Sequence, residues 1–122
     1  MPIRALLCDD VPAMRIVLRV VLEAEGDIEV VGEAGDGLEA VAQSERLQPD
    51  VVVLDLSMPR LDGLEALPRI REVAPDTAIV VFSGYAASRM RKAAIDRGAT
   101  RYIEKGRALE DVRDAVREVM GT

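Results

Sequence analysis

Acidic, hydroxyl and lysine side chains follow several short apolar runs of this chain, at the points where predicted strands end. They are Asp9, Asp10, Asp55, Ser57, Ser83 and Lys105. The run Val51-Val52-Val53-Leu54 before Asp55 is short and β-branched, which is typical of a strand buried on both faces of a parallel sheet. Strands of a parallel sheet all point the same way, so these side chains are expected to meet at one edge.

Three carboxylates at one edge repel each other unless something neutralises them. At a separation of about 4 Å and an effective dielectric constant of about 20, each like-charged pair costs roughly 4 kcal/mol. Either some of Asp9, Asp10 and Asp55 stay protonated, or a cation binds between them. A few oxygen ligands suit a hard ion that keeps part of its water shell, which favours Mg²⁺. Calcium is disfavoured because there is no EF-hand pattern, and zinc because there is no histidine and a single cysteine.

An ionised aspartate beside Mg²⁺, a lysine and a hydroxyl suits phosphoryl transfer. That reaction needs the transferring group held in line and its equatorial oxygens neutralised. Asp55 could attack phosphorus and form an aspartyl phosphate. Mg²⁺ would hold one phosphoryl oxygen, Lys105 a second and the Ser83 hydroxyl a third. Lys105 is one of only two lysines among the 16 basic residues, and a compact ammonium suits this contact.

Strand and helix patterns alternate along the whole chain. Predicted strands cover residues 3–8, 28–32, 51–55, 78–82 and 101–104. Predicted helices cover residues 13–25, 38–47, 64–73 and 86–97, and a last helix has Leu109, Val112, Val116 and Val119 on one face. Such alternation indicates an α/β fold, in which a parallel sheet carries helices on both faces. In the second helix, Leu38, Val41 and Ala42 are predicted to face inward.

Length and composition bound the class of protein. The 122 residues, 1–122, suit one domain, and 49% apolar residues are enough for a core. The net charge of −6 argues against direct nucleic-acid binding through a basic surface. Cys8 is predicted to be a small buried hydrophobic residue, and the longest apolar run, residues 78–82, is too short to cross a membrane. With no signal-peptide pattern at the N-terminus, we expect a soluble cytoplasmic protein.

Taken together, the motifs resemble the receiver domain of bacterial two-component response regulators. The matching pieces are Asp9-Asp10 after the first strand, Asp55 after the third, the Met58-Pro59 and Asp62-Gly63 loop, Ser83-Gly84 after the fourth, and Tyr102 with Lys105 on the fifth. The resemblance covers the chain from Leu6 to about Met120. Each piece is weak alone, but their order and spacing are highly specific.

The resemblance implies a flavodoxin-like fold with five helices and a five-stranded sheet in the order 2-1-3-4-5. It also implies that Asp55 accepts a phosphoryl group from a histidine kinase, a phosphotransfer protein or a small phosphodonor. Asp10, Asp55 and the Ser57 carbonyl would ligate Mg²⁺, and Asp9 would act mainly through water. The domain would then be a signalling switch that catalyses only its own phosphorylation and dephosphorylation, not a turnover enzyme.

The same resemblance implies how a phosphoryl group would be sensed. Lys105 would bind the group and relay its arrival. Ser83 would swing toward the phosphate, and Tyr102 would turn inward to fill the space. The surface of the fourth helix, fifth strand and fifth helix would then change its downstream protein partner.

The sequence departs from the pattern of the family it resembles in one place. Gly106 follows Lys105 where many receivers have a proline, which removes the usual reason for a cis peptide bond. Gly106 and the segment of residues 29–34 resemble the subgroup whose members carry a helix-turn-helix output domain, although we expect no such domain in this chain.

The first helix has an unusually wide apolar arc, which predicts either deep burial or a homodimer through the first and last helices.

Two other functions compete with the switch. A pseudo-receiver would be a protein-interaction scaffold that never turns over phosphate, but nothing in a scaffold requires an intact set of repelling acids. A Mg²⁺-dependent phosphatase also uses an aspartate nucleophile. Such enzymes usually carry an Asp-x-Asp pattern on the first strand and a cap over the site, whereas here Asp9 and Asp10 are adjacent and no cap insertion is found.

Overall fold

The computed structural model describes residues 1–121, which alternate between strands and helices throughout. The strands are β1 (Ile3–Cys8), β2 (Ile28–Ala34), β3 (Val51–Leu54), β4 (Ala78–Ser83) and β5 (Arg101–Glu104). The helices are α1 (Pro12–Glu23), α2 (Gly37–Leu47), α3 (Gly63–Val73), α4 (Ala87–Asp96) and α5 (Leu109–Val119). The predicted bounds lie within two residues of these at every end that the sequence analysis placed.

All five strands form one parallel sheet in the order β2-β1-β3-β4-β5, which confirms the predicted flavodoxin-like topology. β2 lies at an outer edge, so the carboxyl ends of β1, β3, β4 and β5 are consecutive neighbours. The pairing of β1 with β2 shifts register between Ala5 and Leu6, and Val31 has no opposite residue in β1. The sheet thus places the residues after four strands along one rim.

Side chains of the strands alternate between two hydrophobic layers, because successive residues of a strand point to opposite faces. Leu6, Cys8 and Val52 belong to the layer covered by α2, α3 and α4. Leu7 and Val53 belong to the layer covered by α1 and α5. Cys8 is a free thiol that is 2% exposed, which confirms the prediction of a small buried residue, and burial raises the pKa of this thiol.

The buried face of α2 differs from the predicted one. Gly37, Ala40 and Ser44 are buried, whereas Leu38 is 50% exposed and Ala42 is exposed, so the prediction was wrong for these two residues. A side chain on Gly37 would overlap the carbonyl oxygen of Leu61. The helix approaches the loop before α3 through its smallest residues, and a search for large apolar residues therefore missed this face.

The first helix buries one edge of its apolar arc and exposes the rest. Leu18 and Leu22 are fully buried against the sheet, with exposures of 1% and 0%. Ile16, Val17 and Val20 are 63%, 41% and 65% exposed, so the arc is wider than the core contact. Among residues 1–121, no helix combines the length and apolarity that a membrane crossing requires.

Helix α4 is attached to the fold mainly through the neighbouring strand. Ala94 is its one fully buried residue in the described chain, and its N-cap residue, Ala86, offers no side-chain hydrogen bond. Instead, the carboxylate of Glu104 on β5 accepts a hydrogen bond from the backbone amide of Ala87, at 2.5 Å. The start of α4 therefore depends on a side chain from β5 for its cap.

Candidate functional site

Three aspartates lie together at the rim formed by the carboxyl ends of β1 and β3. Asp9 and Asp10 follow β1, Asp55 follows β3, and one carboxylate oxygen of each lies within 4.8 Å of the others. Asp9 and Asp55 are buried, at 2% and 3% exposure, whereas Asp10 is exposed. Backbone hydrogen bonds from Asp9 to Ala34 and from Asp55 to Cys8 hold the two buried residues at the sheet edge.

Lys105 links two of these acids from the end of β5. Its Nζ lies 2.9 Å from Oδ2 of Asp9 and 3.3 Å from Oδ2 of Asp55. The same ammonium lies 5.8 Å from the centre of the Phe82 ring. Burial lowers the pKa of Lys105, but the hydrogen bond to Asp9 and the charges of Asp55 and Asp9 outweigh it, so the net pKa is raised. The lysine therefore stays positively charged beside the carboxylates.

Asp55 combines burial with several polar contacts. Its Oδ1 accepts a hydrogen bond from the backbone amide of Ser57, at 3.2 Å. Burial raises the pKa of Asp55, Lys105 lowers it, and Asp9 raises it further, so the net shift is upward. A second positive charge near Asp55 would favour the ionised carboxylate. Ser57, predicted to offer its carbonyl to a metal ion, lies exposed two residues after Asp55.

Ser83 and Tyr102 lie behind Lys105, on β4 and β5. Ser83 is fully buried, and its Oγ accepts a hydrogen bond from the Tyr85 amide, at 3.1 Å. Its carbonyl accepts the Lys105 amide, at 2.7 Å. Tyr102 is 9% exposed, and its hydroxyl donates to the Tyr85 carbonyl, at 2.7 Å. Tyr102 is thus already inward, and its movement on phosphorylation stays a prediction.

The loop after Lys105 follows the expectation for a glycine in place of proline. No peptide bond among residues 1–121 is cis. Gly106 has a φ of +99°, a left-handed conformation that glycine adopts readily. Apart from the adjacent residues, no described atom lies within 4 Å of where a Gly106 side chain would begin, so this turn is open to solvent.

Sequence reasoning missed two residues that support this site. Arg15 on α1 donates from Nη1 to the Asp9 carbonyl, at 2.5 Å, and from Nε to Oε1 of Glu33, at 2.9 Å. Glu104 caps α4 through Ala87, as described above. Neither residue was assigned a role from the sequence. The available signal for Arg15 was its spacing of four residues from Arg19, which places both arginines on one face of α1, where both donate to Glu33.

The donor set fits a divalent cation. The formal charges of the three carboxyl groups and the Lys105 ammonium sum to −2, which a divalent cation would balance. Lys105 and the Val11 amide already engage the two oxygens of Asp9. Among residues 1–121, the Asp10 carboxylate accepts no hydrogen bond and the residue is exposed, so this carboxylate is available as a ligand. Oxygen donors of this kind suit Mg²⁺.

Known proteins resemble this chain over nearly its full length. A family model described as the response regulator receiver domain matches residues 5–117. The response regulator protein VraR of Staphylococcus aureus is 36% identical over 118 residues. That match covers 97% of this chain and 56% of VraR, so the chain spans about half the length of the curated relatives it matches.

Solved structures share the same fold. The response regulator domain of Thermotoga maritima CheB has a TM-score of 0.92 and 32% identity, and the match covers 100% of this chain and 98% of that one. The receiver domain of NarL from Mycobacterium tuberculosis has a TM-score of 0.92 and 28% identity, over 99% and 98% of the two chains.

A third structure, the Borrelia burgdorferi CheX–CheY complex with BeF₃ and Mg²⁺, has a TM-score of 0.93 and 26% identity, over 100% and 92% of the chains. The strand order β2-β1-β3-β4-β5 and the acidic cluster at the carboxyl ends of the strands agree with this fold. Since the family model covers residues 5–117 and VraR shares 36% identity, the chain belongs to the response regulator receiver domains of two-component systems.

Proposed function

We propose that this chain is a phosphorylation-dependent switch of a two-component relay, with Asp55 as the phosphoryl acceptor. The observation that carries the proposal is the contact of one lysine with two acids of a three-carboxylate cluster. Lys105 lies 2.9 Å from Asp9 and 3.3 Å from Asp55, and Asp10 completes the cluster. A scaffold that never handles phosphate has no use for three acids held at this spacing.

The chemistry assigned to Asp55 is a nucleophilic displacement at phosphorus. A carboxylate oxygen of Asp55 forms the new P–O bond. The P–N bond of a phosphohistidine, or the P–O bond of a small phosphodonor, breaks. Its electron pair stays on the imidazole nitrogen, which takes up a proton, or on the oxygen of the departing phosphodonor. Hydrolysis reverses the modification, because water attacks phosphorus and releases inorganic phosphate and the free carboxylate. The domain catalyses only these steps on itself, so we class it as a switch and not as an enzyme acting on other substrates.

The side chains around Asp55 would neutralise the transferring group. When bound, Mg²⁺ supplies a positive charge for the phosphoryl oxygens. Asp10 and Asp55, with the Ser57 carbonyl, would hold the ion, and Asp9 would act through water because its oxygens already accept Lys105 and Val11. The Lys105 ammonium would shift from Asp55 to a phosphoryl oxygen. The support for Mg²⁺ is the acidic cluster itself and the presence of Mg²⁺ in the related CheX–CheY complex.

The signal would pass from the site to α4 and β5 through the same hydrogen bonds that hold the loop. Ser83 Oγ now accepts the Tyr85 amide, so a turn of this hydroxyl toward phosphate would release that amide. The Tyr85 carbonyl also accepts a hydrogen bond from the Tyr102 hydroxyl, which connects the loop after β4 to β5. A histidine kinase or phosphotransfer protein would be the cytoplasmic donor, and the surface of α4, β5 and α5 would bind the downstream protein.

The proposed function is tested by the intact mass of the protein after incubation with acetyl phosphate. Samples with Mg²⁺ and with EDTA are compared. We expect one added phosphoryl group with Mg²⁺ and almost none with EDTA. Absence of any added group under both conditions would refute the switch and favour a phosphate-independent interaction domain.

Replacing Asp10 by alanine is expected to weaken Mg²⁺ binding by more than about tenfold, since losses of outer partners alone cost about 10–100-fold. The exposed carboxylate has no structural hydrogen bond to lose in the described chain, so the fold should be kept. Mg²⁺ titration followed by amide chemical shifts measures the change. Asp76→Ala is the matched control, because Asp76 is exposed just before β4, at the opposite end of the sheet. Equal affinities in both variants would remove Asp10 from the metal site.

The homodimer through the first and last helices stays a prediction. Leu18 and Leu22 are buried, so the exposed Val20 is the position to change. We expect sedimentation of the phosphorylated protein to show a dimer that Val20→Glu disrupts. Leu38→Glu, at an exposed site on α2, is the control and should leave the dimer intact. A phosphorylated wild type that sediments as a monomer contradicts the prediction.

A further inference from the structure

Arg15 contacts the acidic cluster through the backbone carbonyl of Asp9 and not through a carboxylate. Its Nη1 donates to the carbonyl oxygen of Asp9, at 2.5 Å. Its Nε donates to Oε1 of Glu33, at 2.9 Å, and the side chain is 19% exposed. The planar guanidinium thus spans two acceptors at once, one just after β1 and one in β2, which a lysine ammonium does less well.

The Asp9 carbonyl belongs to the peptide that joins Asp9 to Asp10, so the Arg15 contact fixes the direction in which Asp10 leaves the strand. The other polar groups of Asp9 also form hydrogen bonds. Its amide donates to the Ala34 carbonyl, Oδ1 accepts from the Val11 amide, and Oδ2 accepts from the Lys105 ammonium. Asp10 differs, because its carboxylate accepts no hydrogen bond among the described residues and is exposed. The position of Asp10 therefore depends on the backbone that Arg15 holds.

A positive charge so close to a cation site would ordinarily oppose metal binding, and the structure offsets it. Glu33 accepts Arg15 at 2.9 Å and Arg19 at 2.8 Å, through its two oxygens. The hydrogen bond from Arg19, with that from Arg15, holds the pKa of Glu33 below its usual range against the effect of burial. Glu33 therefore stays ionised and balances part of the guanidinium charge.

We propose that Arg15 is a positioning residue for the divalent-cation site, which acts by orienting the Asp9–Asp10 peptide so that the Asp10 carboxylate faces Asp55. The inference rests on the proposed function, since it assigns a role in the same site. It predicts that loss of Arg15 weakens Mg²⁺ binding. Simple electrostatics predicts the opposite sign, because removing a positive charge near a cation site should strengthen binding.

The matched pair Arg15→Gln and Arg19→Gln tests the proposal. Each variant removes one positive charge from α1 and one contact with Glu33, but Arg19 reaches the Val30 carbonyl, at 3.4 Å, and not Asp9. We expect Arg15→Gln to lower the Mg²⁺ affinity by about 10–100-fold, as for other partners that orient metal ligands, and Arg19→Gln by less than about twofold. Mg²⁺ titrations followed by amide chemical shifts give both affinities.

A second readout needs no metal ion. In Mg²⁺-free protein, the ¹³C shift of the Asp9 carbonyl and the ¹⁵N shift of the Asp10 amide report the Arg15 hydrogen bond directly. Both should change in Arg15→Gln and stay near wild type in Arg19→Gln. Arg15→Lys keeps the charge without the planar fork, so it should bind Mg²⁺ more weakly than wild type. This variant also keeps the test open if Arg15→Gln folds poorly.

The outcomes separate the inference from the function on which it rests. If wild type and Arg19→Gln take up Mg²⁺ and phosphate while Arg15→Gln and Arg15→Lys bind Mg²⁺ as wild type does, the positioning role is wrong and the switch stands. If wild type itself neither binds Mg²⁺ nor accepts phosphate, the proposed function fails first. Tighter Mg²⁺ binding by Arg15→Gln would show that its charge, and not its hydrogen bond, dominates, and would overturn the inference.

Discussion

Asp55→Asn is expected to abolish phosphoryl incorporation from acetyl phosphate while leaving the fold intact. The amide has nearly the shape of the carboxylate, so it can still accept the Ser57 amide, but it lacks the negative charge of the nucleophile. Burial raises the pKa of the Asp55 carboxyl, so the folded protein disfavours its ionised form. In Mg²⁺-free buffer near neutral pH, the variant should therefore be at least as stable as wild type.

The stability difference between Asp55→Asn and wild type is expected to depend on pH. A raised folded-state pKa of an acid means that stability is lost as pH rises above the unfolded-state pKa. The difference in the free energy of unfolding between Asp55→Asn and wild type should accordingly shrink as pH falls and Asp55 becomes protonated. Urea denaturation at several pH values measures it.

Asp62→Asn is the control for the loss of phosphorylation. Asp62 lies in the same loop, is exposed, and caps α3 by accepting the Glu65 amide at 2.8 Å. Asparagine caps a helix about as well as aspartate, so this variant should be phosphorylated like wild type. Labelling of Asp55→Asn at the wild-type rate would show that another residue accepts the phosphoryl group.

Gly63→Ala is expected to destabilise the domain by about 3 kcal/mol or more, at the upper end of the usual cost of overpacking. A side chain at Gly63 would overlap the Asp55 carbonyl oxygen and lie 2.6 Å from Cα of Leu56. Both obstacles are backbone atoms, and Gly63 also donates its amide to the Leu56 carbonyl at 2.8 Å, so neither side can move freely. The start of α3 must shift, and Asp55 shifts with it.

The expected result is a lower urea midpoint together with slower phosphorylation in the fraction that stays folded. Gly84→Ala is the matched control, because no described atom beyond the adjacent residues lies within 4 Å of its added carbon. That variant should unfold within about 0.5 kcal/mol of wild type, as surface changes usually do. Equal stability of the two variants would show that the loop after β3 yields without cost, and that Gly63 does not fix Asp55.

The fold was predictable because both of its signals are local in sequence. Short β-branched runs such as Val51-Val52-Val53-Leu54 are buried on both faces, and the glycines and prolines between patterns mark the loops. The placement of Asp9, Asp55 and Lys105 at one rim follows from parallel strands alone. The strand order, by contrast, came from the family resemblance, since alternation by itself allows several orders.

The parts that sequence reasoning missed depend on contacts between distant segments. The small residues Gly37, Ala40 and Ser44 face inward on α2 because the helix approaches the Leu61 carbonyl closely, and a small residue carries no hydrophobic signal. Arg15 reads as a solvated surface charge until the packing of α1 brings it to the Asp9 carbonyl. A cap that comes from another element, as for α4, leaves no pattern near the helix it stabilises.

The capping of α4 by Glu104 from β5 has a consequence for slow motions of this helix. A helix with one fully buried residue, held at its start by a side chain of the adjacent strand, has little free energy to resist local opening. We expect its amides to exchange with deuterium sooner than those of α3, which buries four residues. Helix α4 would thus sample locally unfolded states even without phosphorylation. Phosphorylation of Asp55 would then only need to change how often α4 opens.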